Sequence, residues 1–314
     1  MPNTFLSPDT LTGVAMERLR RELMLPRYVT RLGLADFRGR LNDTVNMRVP
    51  TILDARDYEW RTRNAPIVLD ELTELSISVD LDKHIYSAVA LTDEELTLDV
   101  FDFTAQVLTP QVIAVAEKIE ALIATEMVGA TYAAGPVVYT ESATSAGTPF
   151  YMALVEARKI LNAAHVPPGD RVVLIGSDVE AAALKEEDLR RADASGGTQT
   201  LRRGELGQLA GFIIVTSHSI PADFAIAFHR SAFVFANVAP VVPEGAVSGR
   251  SVAEGGIAMR YLRDYDPTYL RDRSVVSSFA GTASVNDTRD DHGDLVTPGE
   301  NQRAVLIDFT AAGS

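Results

Sequence analysis

Apolar residues recur at alternating steps of four and three in the chain before residue 130. This spacing predicts a long amphipathic helix from Thr92 to about Val128. The positions of its apolar stripe are Phe101, Ala105, Leu108, Val112, Val115, Ile119 and Leu122. Thr92 and Glu95 have the spacing of an N-terminal capping box, and Gly129 is suited to end the helix. A helix of this length is typical of a structural spine rather than of one layer in a compact enzyme.

Pro110 lies inside this predicted helix. Proline lacks a backbone N–H and clashes with the preceding turn, so it kinks or breaks a helix. Because the apolar stripe keeps its phase across Pro110, we expect a continuous, kinked helix. The alternative is a new helix that begins at Pro110, with Thr109 as its N-cap.

Strict alternation of apolar and polar residues predicts two strands before the helix. Residues 44–53 and 72–82 both have this period of two, and together they predict a long hairpin. A two-stranded hairpin is marginally stable by itself in water. We therefore expect another surface to cover its apolar face, and a neighbouring copy of the chain would do so.

The polar segment between these strands contains the only tryptophan of the chain. Tyr58, Trp60, Arg61 and Arg63 combine aromatic and basic side chains, which is the composition of an interface anchor. We take these four as candidate subunit-interface residues. The alternative is that Trp60 packs onto its own subunit.

The chain after residue 129 predicts a compact α/β unit followed by further strands. Residues 129–149 are rich in small residues and are expected to form a connector. The pattern then predicts a helix at 150–163, a strand at 172–175, a helix at roughly 178–192, and strands at 212–215 and 225–235. Later strands are predicted at 257–262, 275–276 and 304–309, with a polar, mobile segment at 286–300.

Charge and composition exclude several classes of protein. The 314 residues carry a net charge of −14 and no cysteine, which argues against tight phosphate binding and excludes disulfides and thiolate metal sites. The N-terminus lacks the basic start and apolar segment of a signal peptide. Charged residues within the long helix argue against a membrane span. These features predict a soluble, cytoplasmic protein.

The charge is unevenly distributed along the chain. Residues 1–63 contain eleven arginines and eight acids, whereas residues 70–102 contain ten acids and a single lysine. This distribution fits two solvated faces. It fits equally a basic arm of one subunit that meets an acidic surface of another.

Catalytic and metal-binding patterns are missing from the sequence. The five histidines at 84, 165, 218, 229 and 292 have no metal-ligand spacing. Gly176-Ser177 is not part of a nucleophile elbow, and the glycine-rich segment near residue 196 lacks the Lys-Ser/Thr of a phosphate loop. We therefore predict no catalytic residues, no cofactor and no metal, and expect the protein not to be an enzyme.

Several segments resemble the major capsid protein of tailed bacteriophages, which has the Hong Kong 97-type shell fold. ARDYEWRTRNAP, LDKHIYSAVALTDEELTLDV and TAQVLTPQVIAVAE resemble coat proteins of actinobacterial phages. GELGQLAGFIIVTSHSIP and AIAFHRSAFVFA resemble the end of the axial domain of that fold. The resemblance covers roughly residues 1–285.

This resemblance implies an α+β, Hong Kong 97-type capsid fold with six regions. They are an N-terminal arm (1–43), an extended hairpin loop (44–91), a peripheral domain with the spine helix (92–129), an α/β axial domain (130–248), peripheral return strands (249–285) and a C-terminal extension (286–314).

The function implied by the resemblance is structural. Copies would assemble as pentamers and hexamers into an icosahedral shell around the double-stranded DNA genome, which they would contact weakly and without sequence specificity. Expected partners are the portal and, in addition, scaffolding or decoration proteins, without a membrane. The location would be the virion capsid, assembled in the host cytoplasm. The alternative is the shell of an encapsulin-like bacterial nanocompartment.

Two departures from the family pattern limit what the resemblance implies. Some members join subunits covalently through a lysine in the extended loop, but residues 44–75 contain no lysine. We therefore predict no such cross-link. Some members carry a fused scaffold segment, whereas about 43 residues precede the first strand here, which predicts a separate scaffolding protein or none.

Overall fold

The computed structural model describes residues 23–33, 44–49, 57, 61, 66–67, 69, 75–95, 103–140, 149–186, 207–246, 248–254, 257–289 and 295–310. The strands are β1 (Thr30–Leu32), β2 (Thr44–Val49), β3 (Leu75–Asp80), β4 (Lys83–Thr92), β5 (Val137–Thr140), β6 (Arg171–Ile175), β7 (Gln208–Leu209), β8 (Phe212–Thr216), β9 (Phe224–His229), β10 (Phe233–Val238), β11 (Ser248–Glu254), β12 (Ile257–Asp266), β13 (Arg271–Ser284), β14 (Asp287–Arg289), β15 (Leu295–Glu300) and β16 (Ala304–Thr310). The α-helices are α1 (Thr109–Gly129), α2 (Phe150–Ala163) and α3 (Ser177–Lys185), and Leu25–Arg27 and Arg230–Ala232 are 3-10 helices.

The spine helix α1 packs across a sheet that we call the spine sheet. Its strand order is β1-β10-β13-β12-β11, and β4 pairs with β13 along ten residues. Val112, Val115 and Ile119 of α1 are buried in the core beneath the helix. The buried Gln111 amide also donates to the carbonyl oxygens of Ser87 and Ser274, over 3.2 and 2.8 Å. Apolar burial and these hydrogen bonds together fix the helix on β4 and β13.

The helix continues through Pro110, as the unbroken apolar stripe predicted. Residues 104–108 form a π-helix directly before α1, and the Thr109 N–H donates to the Thr104 carbonyl. Leu108 and Thr109 both have helical backbone angles. A separate helix with Thr109 as its N-cap is therefore wrong, because an N-cap residue has non-helical angles. The π-helix, whose turns are wider than α-helical turns, lies where proline interrupts the regular backbone hydrogen bonds of the helix.

The predicted hairpin is confirmed where the structure describes its strands. β2 pairs antiparallel with β3, from Thr44 opposite Asp80 to Val49 opposite Leu75. The chain then enters β4, a strand that the sequence pattern missed although it lies within the predicted loop 44–91. Small residues such as Ser87, Ala88 and Ala90 weaken the apolar alternation of β4, so its position in the sheet depends on pairing with β13.

The second sheet, here called the α/β sheet, has the order β5-β16-β9-β6-β8-β7. Helices α2 and α3 contribute Leu154, Leu161 and Val179 to the core on one of its faces. The predicted helix 150–163 and strands 172–175 and 212–215 are confirmed. The helix predicted at 178–192 ends at Lys185, and residues 187–192 lie outside the described part.

The segment predicted as one strand at 225–235 is instead two strands in two different sheets. β9 belongs to the α/β sheet and β10 to the spine sheet, with the 3-10 helix Arg230–Ala232 between them. The Ser231 N–H donates to the His229 ring over 3.2 Å, which supports the turn. The polar residues His229, Arg230 and Ser231 interrupt the apolar run at this point, but three residues are too short a break to distinguish one strand from two buried strands in different sheets.

The described residues after 286 form the strands β14, β15 and β16 rather than a mobile polar extension. β14 pairs with β15 within the segment predicted to be mobile. β16 is an inner strand of the α/β sheet, between β5 and β9. Ala304, Val305 and Ile307 of β16 are buried, so this strand is part of the α/β core and the assignment of 286–314 to an extension is corrected there. β5 was likewise missed, inside the predicted connector 129–149.

Candidate assembly surfaces

The base of the hairpin rests on its own chain. Val79 is fully buried against Val234, Ala236 and Val238 of β10. At the same crossing, a Cβ atom on Gly281 of β13 would overlap the carbonyl oxygen of Asp80. The absence of a side chain at residue 281 therefore lets the end of β3 lie directly on β13. We call this contact of Val79 and Asp80 with β10 and Gly281 the hairpin seat.

The candidate interface residues fall mostly outside the described part of the chain. Tyr58, Trp60 and Arg63 are not described, and Arg61 is exposed. Nothing in the structure therefore brings these four together or separates them, and they stay a prediction.

Two further residues of the same loop are apolar and exposed, and the sequence analysis did not select them. Ile67 and Leu69 are 69% and 82% exposed. Their signal in the sequence was the apolar run of residues 67–69, which lies between the charged stretch that ends at Arg63 and the acidic pair at 70–71. Exposed apolar side chains beside a predicted interface anchor extend the surface that a second protein could cover.

Residues 92–95 form a capping box at the end of β4, and residues 96–102 lie outside the described part of the chain. The Glu95 carboxylate accepts from the Thr92 N–H over 2.9 Å, and the Glu95 N–H donates to the Thr92 hydroxyl over 3.3 Å. This confirms the predicted capping box. The hydrogen bonds that the Thr92 N–H and the Thr92 hydroxyl donate to the carboxylate lower the pKa of Glu95. The Tyr265 hydroxyl donates to Asp93 over 3.0 Å, which ties the β12–β13 turn to the same end.

A buried carboxylate holds the first described segment against the spine helix. The N–H groups of Met24 and Leu25 both donate to Glu120, the second over 2.9 Å. Burial raises the pKa of the Glu120 carboxyl, while the two N–H donors and the charge of Arg27 act in the opposite direction. Glu120 thus supplies the acceptor for free N–H groups at the start of the 3-10 helix Leu25–Arg27.

The described residues contain no group of three or more His, Asp or Glu side chains that could hold a metal ion. No helix among them is long and apolar enough to span a membrane. The histidines with perturbed pKa values, His84 and His229, are both shifted downward, chiefly by burial. His84 lies against Phe279, with the ring centroids 4.6 Å apart.

Comparison with known families identifies the group to which the molecule belongs. A family model described as phage capsid protein matches residues 74–287. This chain belongs to the phage capsid protein family. As a member of this family, the chain is a major coat protein of the virion capsid. No curated protein sequence matches the capsid protein.

Solved phage structures share the fold of the capsid protein at low sequence identity. A structure from Mycobacterium phage Che8 matches with a TM-score of 0.59 and 16% identity, over 92% of this chain and 91% of the other. The capsid of cyanophage P-SCSP1u matches with a TM-score of 0.62 and 13% identity, over 92% and 89%. The mature capsid of bacteriophage PhiM1 matches with a TM-score of 0.61 and 9% identity, over 99% and 90%. The capsid protein has the Hong Kong 97-type fold.

Proposed function

We propose that the capsid protein assembles as pentamers and hexamers into a closed icosahedral shell that surrounds double-stranded DNA. The observation that carries the proposal is the phage capsid family match, which spans β3, the spine and both sheets except for β1 and β16. A non-enzymatic role fits this family. The nanocompartment alternative has less support, since the matching family is one of phage capsids.

We further propose how the parts of the molecule contribute to the shell. The loop between β2 and β3 lies over an adjacent subunit, with Tyr58, Trp60, Arg61 and Arg63 at that contact. The spine sheet forms the peripheral domain, and the α/β sheet forms the axial domain around the five- and six-fold centres. Because β4 pairs with β13 and β16 lies in the α/β sheet, the proposed loop ends before β4 and the axial domain includes β16.

The other proposed partners follow from the same role. The inner wall contacts DNA weakly, because a strongly attractive wall would retain the phosphate backbone during packing and release. The net charge of −14 supports this weak contact. Portal, scaffolding or decoration proteins would bind the shell, and assembly would take place in the host cytoplasm.

The test is the assembly state of the purified full chain. Analytical ultracentrifugation and electron microscopy should detect closed shells that form above a threshold protein concentration, with or without a co-expressed scaffolding protein. A chain that stays monomeric at every concentration in both situations would contradict the proposal. Neighbouring genes for a terminase and portal would favour the phage shell, whereas a peroxidase or ferritin-like gene would favour the nanocompartment.

A further inference from the structure

In the described part of the chain, the backbone crosses between the spine sheet and the α/β sheet three times. The first crossing follows α1 and leads to β5. The second is the 3-10 helix Arg230–Ala232, between β9 and β10. The third runs from the end of β13 through β14 and β15 to β16. Each crossing is a place at which two packed sheets could pivot, because hinges are short connecting segments that absorb backbone rotation.

All three crossings meet at Asn301, whose side chain and backbone are fully buried. Its amide group donates to the Ala232 carbonyl over 2.9 Å and to the Ser284 hydroxyl over 3.0 Å. Its backbone N–H donates to the Thr131 carbonyl over 2.9 Å, and its carbonyl accepts from the Ala133 N–H over 3.2 Å. One residue therefore joins the segment after α1, the turn between β9 and β10, and the end of β13.

An ion pair beside Asn301 extends this junction. Arg303 donates to both carboxylate oxygens of Asp287, over 3.1 and 2.8 Å, and also to the Ser231 hydroxyl over 3.2 Å. The two charged side chains are only 23% and 16% exposed. A bidentate, partly buried pair of this kind has a defined geometry and is stronger than a single surface contact. The Asn301 side-chain oxygen accepts from the Arg303 N–H over 2.9 Å, so the two groups form one network.

We propose that Asn301, Arg303 and Asp287, here called the junction network, set the angle between the two sheets and thereby the curvature of the assembled shell. These are positioning residues: they act through the relative placement of the sheets and need no contact with another subunit. The proposal rests on the proposed shell function for its consequence. Its structural part, the fixed angle, concerns the single chain.

The first experiment measures the angle in the unassembled chain. The sequence has no cysteine, so Ala88→Cys in β4 and Ala163→Cys in α2, both at exposed positions, give one spin-label site on each sheet. We expect a narrow distance distribution in the otherwise unmodified chain and a broader or shifted one with Asn301→Ala or Arg303→Lys. An unchanged distribution in both variants would overturn the proposal. This measurement does not depend on shell formation, so it separates failure of the inference from failure of the proposed function.

The second experiment measures curvature by electron microscopy of assembled particles. Asp287→Asn and Arg303→Lys are expected to cause loss of the single particle size that the unmodified chain forms. The matched control is Glu156→Gln, which makes the same chemical change in the exposed Glu156–Lys159 pair, whose side chains are 50% and 73% exposed; its particles should keep the original diameter. Variants with the original diameter would overturn the proposal. So would unfolding of all junction variants by circular dichroism, since the network would then serve folding alone.

Discussion

At the scale of single residues, the polar side chains of the spine helix are where the sequence was least informative. Glu120 appeared in the sequence only as a charge that opposes a membrane span. In the structure it is buried and accepts two backbone N–H groups from residues nearly a hundred positions earlier. Periodicity assigns a side chain to a face of a helix, but it does not identify a distant backbone segment that needs an acceptor. Gln111 is a second case, since its partners lie on β4 and β13.

Glu120→Gln should change how the stability of the unassembled chain depends on pH. Burial raises the Glu120 pKa above its ordinary value of 4.5, so the folded state binds the proton more tightly than the unfolded state does. Its contribution to stability is therefore full below pH 4.5 and is lost as the pH rises through the raised pKa. Glutamine does not titrate, so the variant should lack this loss. Thermal unfolding across acidic to neutral pH measures it.

The matched control for this prediction is Glu117→Gln, at an exposed position on the same helix. This variant makes the same chemical change without removing the acceptor of the Met24 and Leu25 N–H groups. A Glu120→Gln profile parallel to the unmodified one would show that protonation of Glu120 is not coupled to folding.

Trp60→Ala should weaken assembly and leave the fold of the single chain intact. A tryptophan that anchors an interface contributes about 2 kcal/mol or more, so the concentration threshold for shell formation should rise. Sedimentation measures the threshold, and circular dichroism checks the fold. Arg61→Ala is the comparison, with a weaker effect that depends on salt, because charges at the rim mainly tune association rates. Normal shell yield from Trp60→Ala would remove Trp60 from the interface.

At the scale of secondary-structure elements, the sequence predicted correctly those features that depend on residues close together in the chain. The capping box of Thr92 and Glu95, the helix at 150–163 and the pairing of β2 with β3 all follow from short-range spacing. β4 was missed because small residues weaken its alternation. β5 consists of four strand-forming residues, Val137–Thr140, but it is short and lies in a segment rich in Gly, Ala, Ser and Thr. The π-helix before Pro110 was not predicted either, because the apolar stripe identifies the buried face of a helix but not whether its turns are α or π.

Gly281→Ala should loosen the hairpin seat. The added methyl group would overlap the carbonyl of Asp80, and the backbone of β3 would have to move. Overpacking of this kind costs about 1–3 kcal/mol. Chemical denaturation of the unassembled chain measures the loss. Gly135→Ala is the control, since a Cβ there meets no atom within 4 Å. Equal stability of the two variants would mean that β3 does not contact β13 at Gly281 in solution.

At the scale of the whole molecule, the order of the chain does not match the order of the sheets. Sequence alone predicted the α+β class and the helix–strand composition of the second unit. It did not predict that this unit is completed by β16, which follows the strands of the other sheet. Pairing between strands that are far apart in the chain has little effect on the local sequence pattern. For this reason β16 was recognisable as a strand but not as an inner strand of the sheet.

Deletion of residues 304–314 should abolish the α/β sheet, whereas deletion of 311–314 should leave it intact. Without β16, strands β5 and β9 lose the partner between them, and the core loses Val305 and Ile307. Far-ultraviolet circular dichroism and the soluble yield measure the effect. A folded, soluble chain that lacks 304–314 would show that β16 is dispensable for the sheet.

The short connection between β9 and β10 has a mechanical consequence. In the proposed shell, closely packed DNA would push outward because its phosphates repel one another, so the wall would be under tension. Only the three residues Arg230–Ala232 separate a strand of one sheet from a strand of the other, and covalent backbone therefore carries the load across the joint. To stretch the wall at this point, whole strands would have to be separated from their neighbours. Such a wall would resist rupture far better than one in which two separate surfaces can slide apart.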